Sequence, residues 1–249
     1  AEALLNGRVV DRTVRPPFHG RMRHHVQVVI TVLSIDGEND PDIVSMIAGS
    51  AALHISNIPW NGPIGAVRVG KIGDQFLLNP VNGELKESEL DLIIAGTKDK
   101  INMIEAGAKE VLEEDIIEAF KFGQEGVKKI VAFLEDIRKE IGKEKSEPAL
   151  LQGSPEFESK MKEMLVSEGL EDALYDIDKK IIAEKTDKIK EKIFEYIDQN
   201  YAENGDKSKE VAVQILEEVS DEIVHKNILE SEKRPDSRKL NEIRKIECK

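Results

Sequence analysis

The chain has 249 residues, 40% of them apolar, which is enough to bury a sizeable core in one or two domains. Its formal net charge of −13 at pH 7 argues against wholesale wrapping of nucleic acid or attachment to an anionic membrane, because both require a broad positive surface. An anionic ligand is therefore expected to bind at a local patch.

The single cysteine, Cys248, excludes an internal disulfide framework and favours a reducing compartment, so a cytoplasmic protein is expected. No apolar run approaches the roughly 20 residues of a membrane helix, and no signal-peptide pattern opens the sequence. Residue 1 is Ala and falls inside a predicted helix, and a new segment starts shortly before Lys249. We therefore expect a fragment of a longer protein.

A local cationic patch lies near the start of the chain. Arg8, Arg12 and Arg15 are spaced i, i+4 and i+7, so on a helix they fall within one narrow arc. Pro16-Pro17 ends that helix directly after the last arginine. The pattern predicts three guanidinium groups that point the same way and can contact phosphates. The structural alternative is that Arg12 pairs with Asp11 or another acid, while Arg15 caps the helix C-terminus, where a cation contributes about 0.3–1 kcal/mol.

Strands and helices are both predicted up to residue 141. The β-branched run at 26–33 predicts a strand buried on both faces. Asp40-Pro41 predicts the start of a helix whose small residues at 48–52 allow close packing on a sheet. The remaining elements are two hairpins, with strands at 64–69 and 75–78 and at 90–97 and 101–106, and a helix over 113–141.

The strand signals end at a change in composition over residues 142–148. The predicted helices beyond it cover 157–167, 170–183, 187–201 and 208–229. No arginine occurs between Arg138 and Arg234, and lysines alternate with acids, which is typical of a solvated helix surface. We interpret this bundle as a spacer or assembly module. A basic, Pro-containing segment begins at residue 232.

Six segments resemble, in their order and spacing, those of the bacterial polynucleotide phosphorylases. They are VDRTVRPPF at 10–18, NDPDIVSMI at 39–47, IPWNGPIG at 58–65, LNP at 78–80, ELKES at 84–88 and LDLIIAGT at 90–97. In that family two RNase PH-like halves flank an all-helical domain, and the second half opens with an Arg-Pro-Asp-Gly-Arg-like motif. Residues 234–238 resemble this motif, with Ser237 in place of the usual Gly.

The resemblance covers essentially the whole chain and implies its fold class. We expect an α/β (RNase PH-like, ribosomal protein S5 domain 2-like) domain followed by an all-α helical bundle domain. The implied boundaries are 1–142 for the first RNase PH-like domain, N-terminally truncated, 143–231 for the all-helical domain, and 232–249 for the beginning of the second RNase PH-like domain.

The resemblance also implies a function. Members of the family are polyribonucleotide nucleotidyltransferases, which degrade RNA from 3′ to 5′ by phosphorolysis to nucleoside diphosphates and also run the reverse reaction. The implied setting is cytoplasmic mRNA degradation and RNA processing by a ring-shaped homotrimer. Single-stranded RNA and RNA-degradation complex proteins are the expected partners, with no membrane involved. Inorganic phosphate is the implied co-substrate, and Mg²⁺ is expected to bind in the second half.

The family's chemistry is expected in that second half, so no catalytic or metal residue is predicted here. The family's catalytic half carries a serine-rich phosphate-binding turn where this chain has Asp40-Pro41-Asp42, whose carboxylates would repel phosphate. Its metal-binding aspartates correspond to Gly83 and Glu89, a poor magnesium site. The RNA-binding residues implied here are Arg12, Arg15 and Arg8.

Four histidines and the single tryptophan are further candidates for a site. The histidines His19, His24, His25 and His54 lack the spacing of a zinc site, and Trp60, between prolines, is expected to anchor packing more readily than to stack a base. The alternative function is a non-catalytic RNA-binding or assembly subunit of an exosome-like ring. A stand-alone helical interaction protein would not explain the motifs. A serine-rich loop followed by paired aspartates after Lys249 would identify the enzyme.

Overall fold

Two compact units make up the chain, Ala1–Ala149 and Leu150–Lys249. The structure is a computed structural model that describes residues 2–246, so Cys248, on which the disulfide argument rests, lies outside the described residues. The first unit combines helices with a four-stranded sheet, and the described part of the second unit contains helices and no strand. The predicted α/β domain followed by a helical bundle is thereby confirmed. No helix within residues 2–246 is long and apolar enough to cross a membrane.

The first unit is built around a sheet with strand order β2-β1-β3-β4, antiparallel throughout. Both predicted hairpins are present, whereas the short helix α3 was not predicted. The elements are α1 (Glu2–Val14), α2 (Pro41–Ile55), β1 (Gly65–Ile72), β2 (Gln75–Leu78), α3 (Asn82–Glu87), β3 (Leu90–Gly96), β4 (Ile101–Ala108) and α4 (Glu113–Ile141).

Alternate residues of the central strands face two different helix layers, as the period of two requires. Ala66 and Ile93 share a core with α1 and α2, whereas Val67 and Ile94 share one with α4. On the α4 side the main chains approach closely, because a Cβ built on Gly65 would lie 2.8 Å from the Val127 carbonyl oxygen. The sheet is therefore packed between α1–α2 and α4.

The prediction of a strand at residues 26–33 is wrong. The segment belongs to no sheet, and only one side of it packs, since Val26, Val28 and Ile30 contact the core beside α1 and α2. Val29 is 74% exposed and Leu33 is 92% exposed. β-branched residues favour an extended chain, but a strand also needs a hydrogen-bonded neighbour, which none of the described segments supplies.

The second unit consists of helices around a separate apolar core that includes Met161, Leu165, Ile197 and Ile215. Its elements are α5 (Pro155–Ser167), α6 (Leu170–Ala173), α7 (Lys179–Asn200), a 3-10 helix (Ala202–Asn204) and α8 (Gly205–Ser231).

The predicted helices 170–183 and 187–201 are wrong in their boundaries. α6 ends at Ala173, and α7 starts after Asp178, whose carboxylate caps it by accepting a hydrogen bond from the Lys180 N–H at 2.9 Å. No break occurs at 183–187, since α7 runs through Thr186, whose hydroxyl donates to the Ile182 carbonyl oxygen at 2.9 Å.

Residues 143–149 belong to the first unit, although the sequence places them in the helical domain. The Lys143 N–H donates to the Ile55 carbonyl oxygen at 2.9 Å, and the Lys145 ammonium donates to those of Leu53 at 2.8 Å and Ser56 at 2.9 Å. These bonds help to satisfy carbonyl groups at and beyond the C-terminus of α2, where a helix leaves its last carbonyl groups without intrahelical partners. The three-part division at 142 and 231 stays a prediction.

Candidate nucleic-acid interface

Helix α1 presents the arginine arc to solvent, as its spacing predicts. Its buried side chains, Val9, Val10, Thr13 and Val14, lie on the other face and pack in the core with α2. Thr13 reinforces this face by donating its hydroxyl to the Val9 carbonyl oxygen at 2.8 Å.

The three predicted RNA-binding residues differ in what they already contact. Arg12 donates to a Glu105 carboxylate oxygen and to the Ile104 carbonyl oxygen, both at 3.0 Å. Arg15, directly after α1, holds the Asp11 carboxylate at 2.7 Å. Arg8 is exposed and has no hydrogen bond or ion pair with any residue in 2–246. The guanidinium groups of Arg12 and Arg15 thus go to separate acids. For Arg12 this is the structural alternative, pairing with an acid, whereas Arg15 binds the Asp11 carboxylate and not the carbonyl groups at the helix C-terminus.

A buried ion cluster lies at the start of α2, where a phosphate would bind to a helix N-terminus. Asp40 caps α2 by accepting a hydrogen bond from the Asp42 N–H at 3.2 Å, and Pro41 follows it. The Asp42 side chain is 4% exposed and accepts a hydrogen bond from the Arg68 guanidinium at 2.7 Å. Arg68 also lies 3.7 Å from Asp40 and 3.2 Å from Asp91, the latter contact lacking hydrogen-bond geometry.

The positive charge of Arg68 is compensated within this cluster, which holds one guanidinium against three carboxylates. Burial raises the pKa of Asp42 above its ordinary value, and the Arg68 guanidinium acts in the opposite direction. The protein's own carboxylate therefore occupies the N-terminus of α2, next to the buried cation that would otherwise attract an anion. Inorganic phosphate would have to compete with the Asp42 carboxylate for the Arg68 guanidinium.

The same cluster does not fit a magnesium ion. The carboxylates of Asp40, Asp42 and Asp91 converge on a guanidinium, so a cationic side chain already stands where a metal would be held. Gly83 lies on α3 and Glu89 is exposed beside β3. Among the described residues no group of three or more His, Cys, Asp or Glu side chains is placed to hold a metal ion.

Sequence reasoning missed Arg68. The available signal was a single arginine inside the apolar strand GAVRV, where a buried charge requires a partner. The acids that compensate it are 23 to 28 positions away in the chain, so their proximity could not be read from spacing. Asp40 and Asp42 themselves were correctly placed at the helix start.

Two of the candidate site residues, Trp60 and His54, are buried. Trp60 is 3% exposed and donates its indole N–H to the Val14 carbonyl oxygen at 2.8 Å, which confirms the packing anchor. His54 is fully buried, with Nε2 3.4 Å from a Glu135 carboxylate oxygen, and burial lowers its pKa. His19 accepts a hydrogen bond from the Arg21 N–H at 3.1 Å.

Three family models match the chain in succession. "3' exoribonuclease family, domain 1" covers residues 1–59, and "3' exoribonuclease family, domain 2" covers 62–126. "Polyribonucleotide nucleotidyltransferase, RNA binding domain" covers 156–239. This last description does not support our interpretation of the helical bundle as a mere spacer or assembly module.

The chain is also similar to proteins named polyribonucleotide nucleotidyltransferase. It is 41% identical over 245 residues to that of Heliobacterium modesticaldum, covering 98% of this chain and 34% of the relative. It is 39% identical over 246 residues to that of Alkaliphilus oremlandii, covering 99% and 34%. For that of Geobacillus kaustophilus the identity is 39% over 246 residues, covering 98% and 34%.

The chain thus spans about a third of the length of the curated relatives it matches. The order of the three domain matches is the order that the six motif segments and residues 234–238 predict. The chain therefore belongs to the polyribonucleotide nucleotidyltransferase family.

Proposed function

We propose that this chain works within a polyribonucleotide nucleotidyltransferase that degrades RNA from 3′ to 5′ by phosphorolysis and also runs the reverse polymerisation. The succession of exoribonuclease domain 1, exoribonuclease domain 2 and RNA-binding domain carries this proposal. Inorganic phosphate would be the co-substrate, and single-stranded RNA the substrate. The proposed setting is a cytoplasmic homotrimer that acts in mRNA degradation together with RNA-degradation complex proteins.

We further propose that residues 2–246 supply RNA-contacting and ring-assembly surfaces and no complete active site. The supporting observation is the ion pair between Asp42 and Arg68, which fills the place at α2 where phosphate would bind. Magnesium and phosphate would accordingly act in a second RNase PH-like half. The second candidate is a non-catalytic subunit of an exosome-like ring. Such a subunit needs no phosphate site, so the ion pair between Asp42 and Arg68 is compatible with it too.

The proposed RNA contacts are the phosphates of a strand passing along the exposed face of α1. Arg8 is free to bind one, whereas a phosphate at Arg12 or Arg15 must compete with Glu105 or Asp11. Both competing pairs are exposed, with the Arg12 side chain at 52% and the Arg15 side chain at 75%. Exposed pairs contribute about 0–1 kcal/mol each, so the competition is inexpensive.

Two experiments test this division of roles. The complete polypeptide is expected to release nucleoside diphosphates from polyadenylate when phosphate and magnesium are present, and the 249-residue chain alone is not. Release of diphosphates by the isolated chain would contradict the incomplete site, and inactivity of the complete polypeptide would favour the non-catalytic subunit.

For the arginines, the complete polypeptide is titrated with single-stranded RNA over a range of salt concentrations. Each of Arg8→Glu, Arg12→Glu and Arg15→Glu should weaken binding and reduce the slope of log K against log salt by about 0.7, the contribution of one phosphate contact in a single strand. We expect the largest loss for Arg8→Glu. Lys98→Glu, an exposed residue at the turn between β3 and β4, is the matched control, and slopes unchanged in all variants would refute the contacts.

A further inference from the structure

The helical unit contains an open cavity of about 600 Å³, within the usual range for small-ligand sites. It lies where the end of α7 and the following 3-10 helix meet the starts of α5 and α8. Its lining includes the side chains of Gln152, Phe157, Gln199, Tyr201, Asn204 and Lys207. All of them belong to the second unit, so the cavity is formed without any residue of the first.

Two aromatic residues line the cavity, and their rings are fixed against each other. Phe157 is 4% exposed, and its ring centroid lies 5.0 Å from that of Tyr201 at an interplanar angle of 83°. Tyr201 is half-buried, and its N–H donates to the Ile197 carbonyl oxygen at 2.8 Å at the end of α7. A rigid ring at the wall of a cavity costs little entropy to use, so Tyr201 is suited to contact a flat ligand.

Three exposed amide side chains line the same cavity as these rings. Gln152, Gln199 and Asn204 make no side-chain hydrogen bond to any residue in 2–246. By contrast, Asn200 in the same wall donates its amide to the Tyr196 carbonyl oxygen at 2.8 Å. A carboxamide offers a donor and an acceptor side by side, which matches the edges of nucleobases.

The charge of the cavity is nearly balanced. Its charged lining residues are Glu203 and Lys207, of opposite sign. Such a lining does not attract a polyanion strongly, unlike the exposed Arg8. An aromatic and amide lining with one lysine fits a ligand that has a flat, neutral part and, next to it, a single negatively charged group.

We propose that this cavity binds one unpaired nucleotide of single-stranded RNA. The base contacts Tyr201 and is hydrogen-bonded by Gln199 and Asn204, while Lys207 meets the adjoining phosphate. The proposal rests on the proposed function in taking RNA as the ligand, and it assigns to the helical unit a base-binding site distinct from the arginines of α1.

The test uses the 249-residue chain and a fluorescently labelled pentaadenylate, with affinity measured by anisotropy at several salt concentrations. The double variant Gln199→Ala/Asn204→Ala removes two hydrogen bonds and should weaken binding about tenfold. Its salt slope should stay that of the wild type, because no phosphate contact is lost. Lys207→Ala should instead reduce the slope by about 0.7.

Matched controls separate this site from general effects. Asn241→Ala removes an exposed amide outside the cavity, and Lys188→Ala removes an exposed lysine of α7; both should bind as the wild type does. Circular dichroism melting checks that each variant keeps its helices. Tyr201→Leu, which keeps an apolar group against Phe157, should also weaken binding about tenfold.

Three results would overturn the proposal: no binding by the wild-type chain, wild-type affinity in the double variant, or equal affinity for adenosine monophosphate and pentaadenylate, which would identify a free nucleotide as the ligand. Wild-type affinity in the double variant would leave phosphorolysis by the complete polypeptide and the arginine contacts of α1 untouched, so failure of the cavity alone is distinguishable from failure of the proposed function. No binding by the wild-type chain would count against those arginine contacts as well.

Discussion

The buried ion pair of Asp42 and Arg68 is expected to contribute strongly to the stability of the first unit. In the variant Asp42→Ala the Arg68 guanidinium loses its 2.7 Å partner, although its side chain is only 10% exposed. Removing one member of a buried ion pair costs about 3–5 kcal/mol, because the remaining charge is left without compensation. Asp40 at 3.7 Å and Asp91 at 3.2 Å remain near the cation. We therefore expect the lower end, about 3 kcal/mol.

Urea unfolding followed by tryptophan fluorescence measures this loss selectively. Trp60 is the only tryptophan of the chain and is buried in the first unit, so its signal reports that unit and not the helical one. With a urea slope of about 1–3 kcal/mol per molar for a domain of this size, the midpoint should fall by about 1–3 M.

Two further variants test whether the loss comes from the uncompensated charge of Arg68. Asp91→Ala removes a carboxylate that is 51% exposed and should cost less than about 1 kcal/mol. Asp42→Leu combined with Arg68→Met removes both charges and should recover most of the stability lost in Asp42→Ala. Equal losses for Asp42→Ala and Asp91→Ala, or no recovery in the double variant, would refute the account of a compensated buried charge.

Two other predictions use the same fluorescence signal. Because burial lowers the pKa of His54 from its usual 6.5, the unfolded chain takes up a proton more readily than the folded one. Above pH 6.5 His54 is neutral in both states and does not lower the free energy of unfolding. As the pH falls below 6.5 the unfolded chain gains a proton first, so the free energy of unfolding decreases, by at most about 1.4 kcal/mol per pH unit. Comparison of urea midpoints at pH 7.5 and 5.5 should show a smaller drop in His54→Gln, and an identical drop would contradict this cause. Gly65→Ala should destabilise the unit by about 1–3 kcal/mol, because the new methyl group meets the Val127 carbonyl oxygen. Gly83→Ala, with nothing within 4 Å of its Cβ, should cause no loss, and a similar loss in both variants would count against the packing argument.

Local signals predicted the elements well where the residue itself determines the conformation. Asp40 and Pro41 mark the start of α2 because a side-chain cap and a fixed φ act within one turn. The hairpins were predictable for a similar reason, since their turns join strands that are adjacent in the chain.

Long-range pairing was not predictable from local patterns. Residues 26–33 have the composition of a strand, yet whether a strand forms depends on a neighbour that composition does not name. The partners of Arg68 and of Arg12 are likewise distant in sequence, so the spacing of the arginines predicted a common face but not the acids they meet. The cavity of the helical unit was not predicted either, because it forms where α5, α7 and α8 meet, which local patterns do not show.

The contact between Arg12 and Ile104 has a consequence for aggregation. Among the strands of residues 2–246, β4 pairs with β3 alone and is therefore an edge of the sheet, where free main-chain groups can recruit a strand from another molecule. Arg12 occupies one such carbonyl oxygen and places a guanidinium beside the half-exposed Ile104, and Glu105 adds a second charge to the same edge. Arg12 thus protects the sheet from edge-to-edge association, and sedimentation of Arg12→Glu would separate lost RNA contact from self-association.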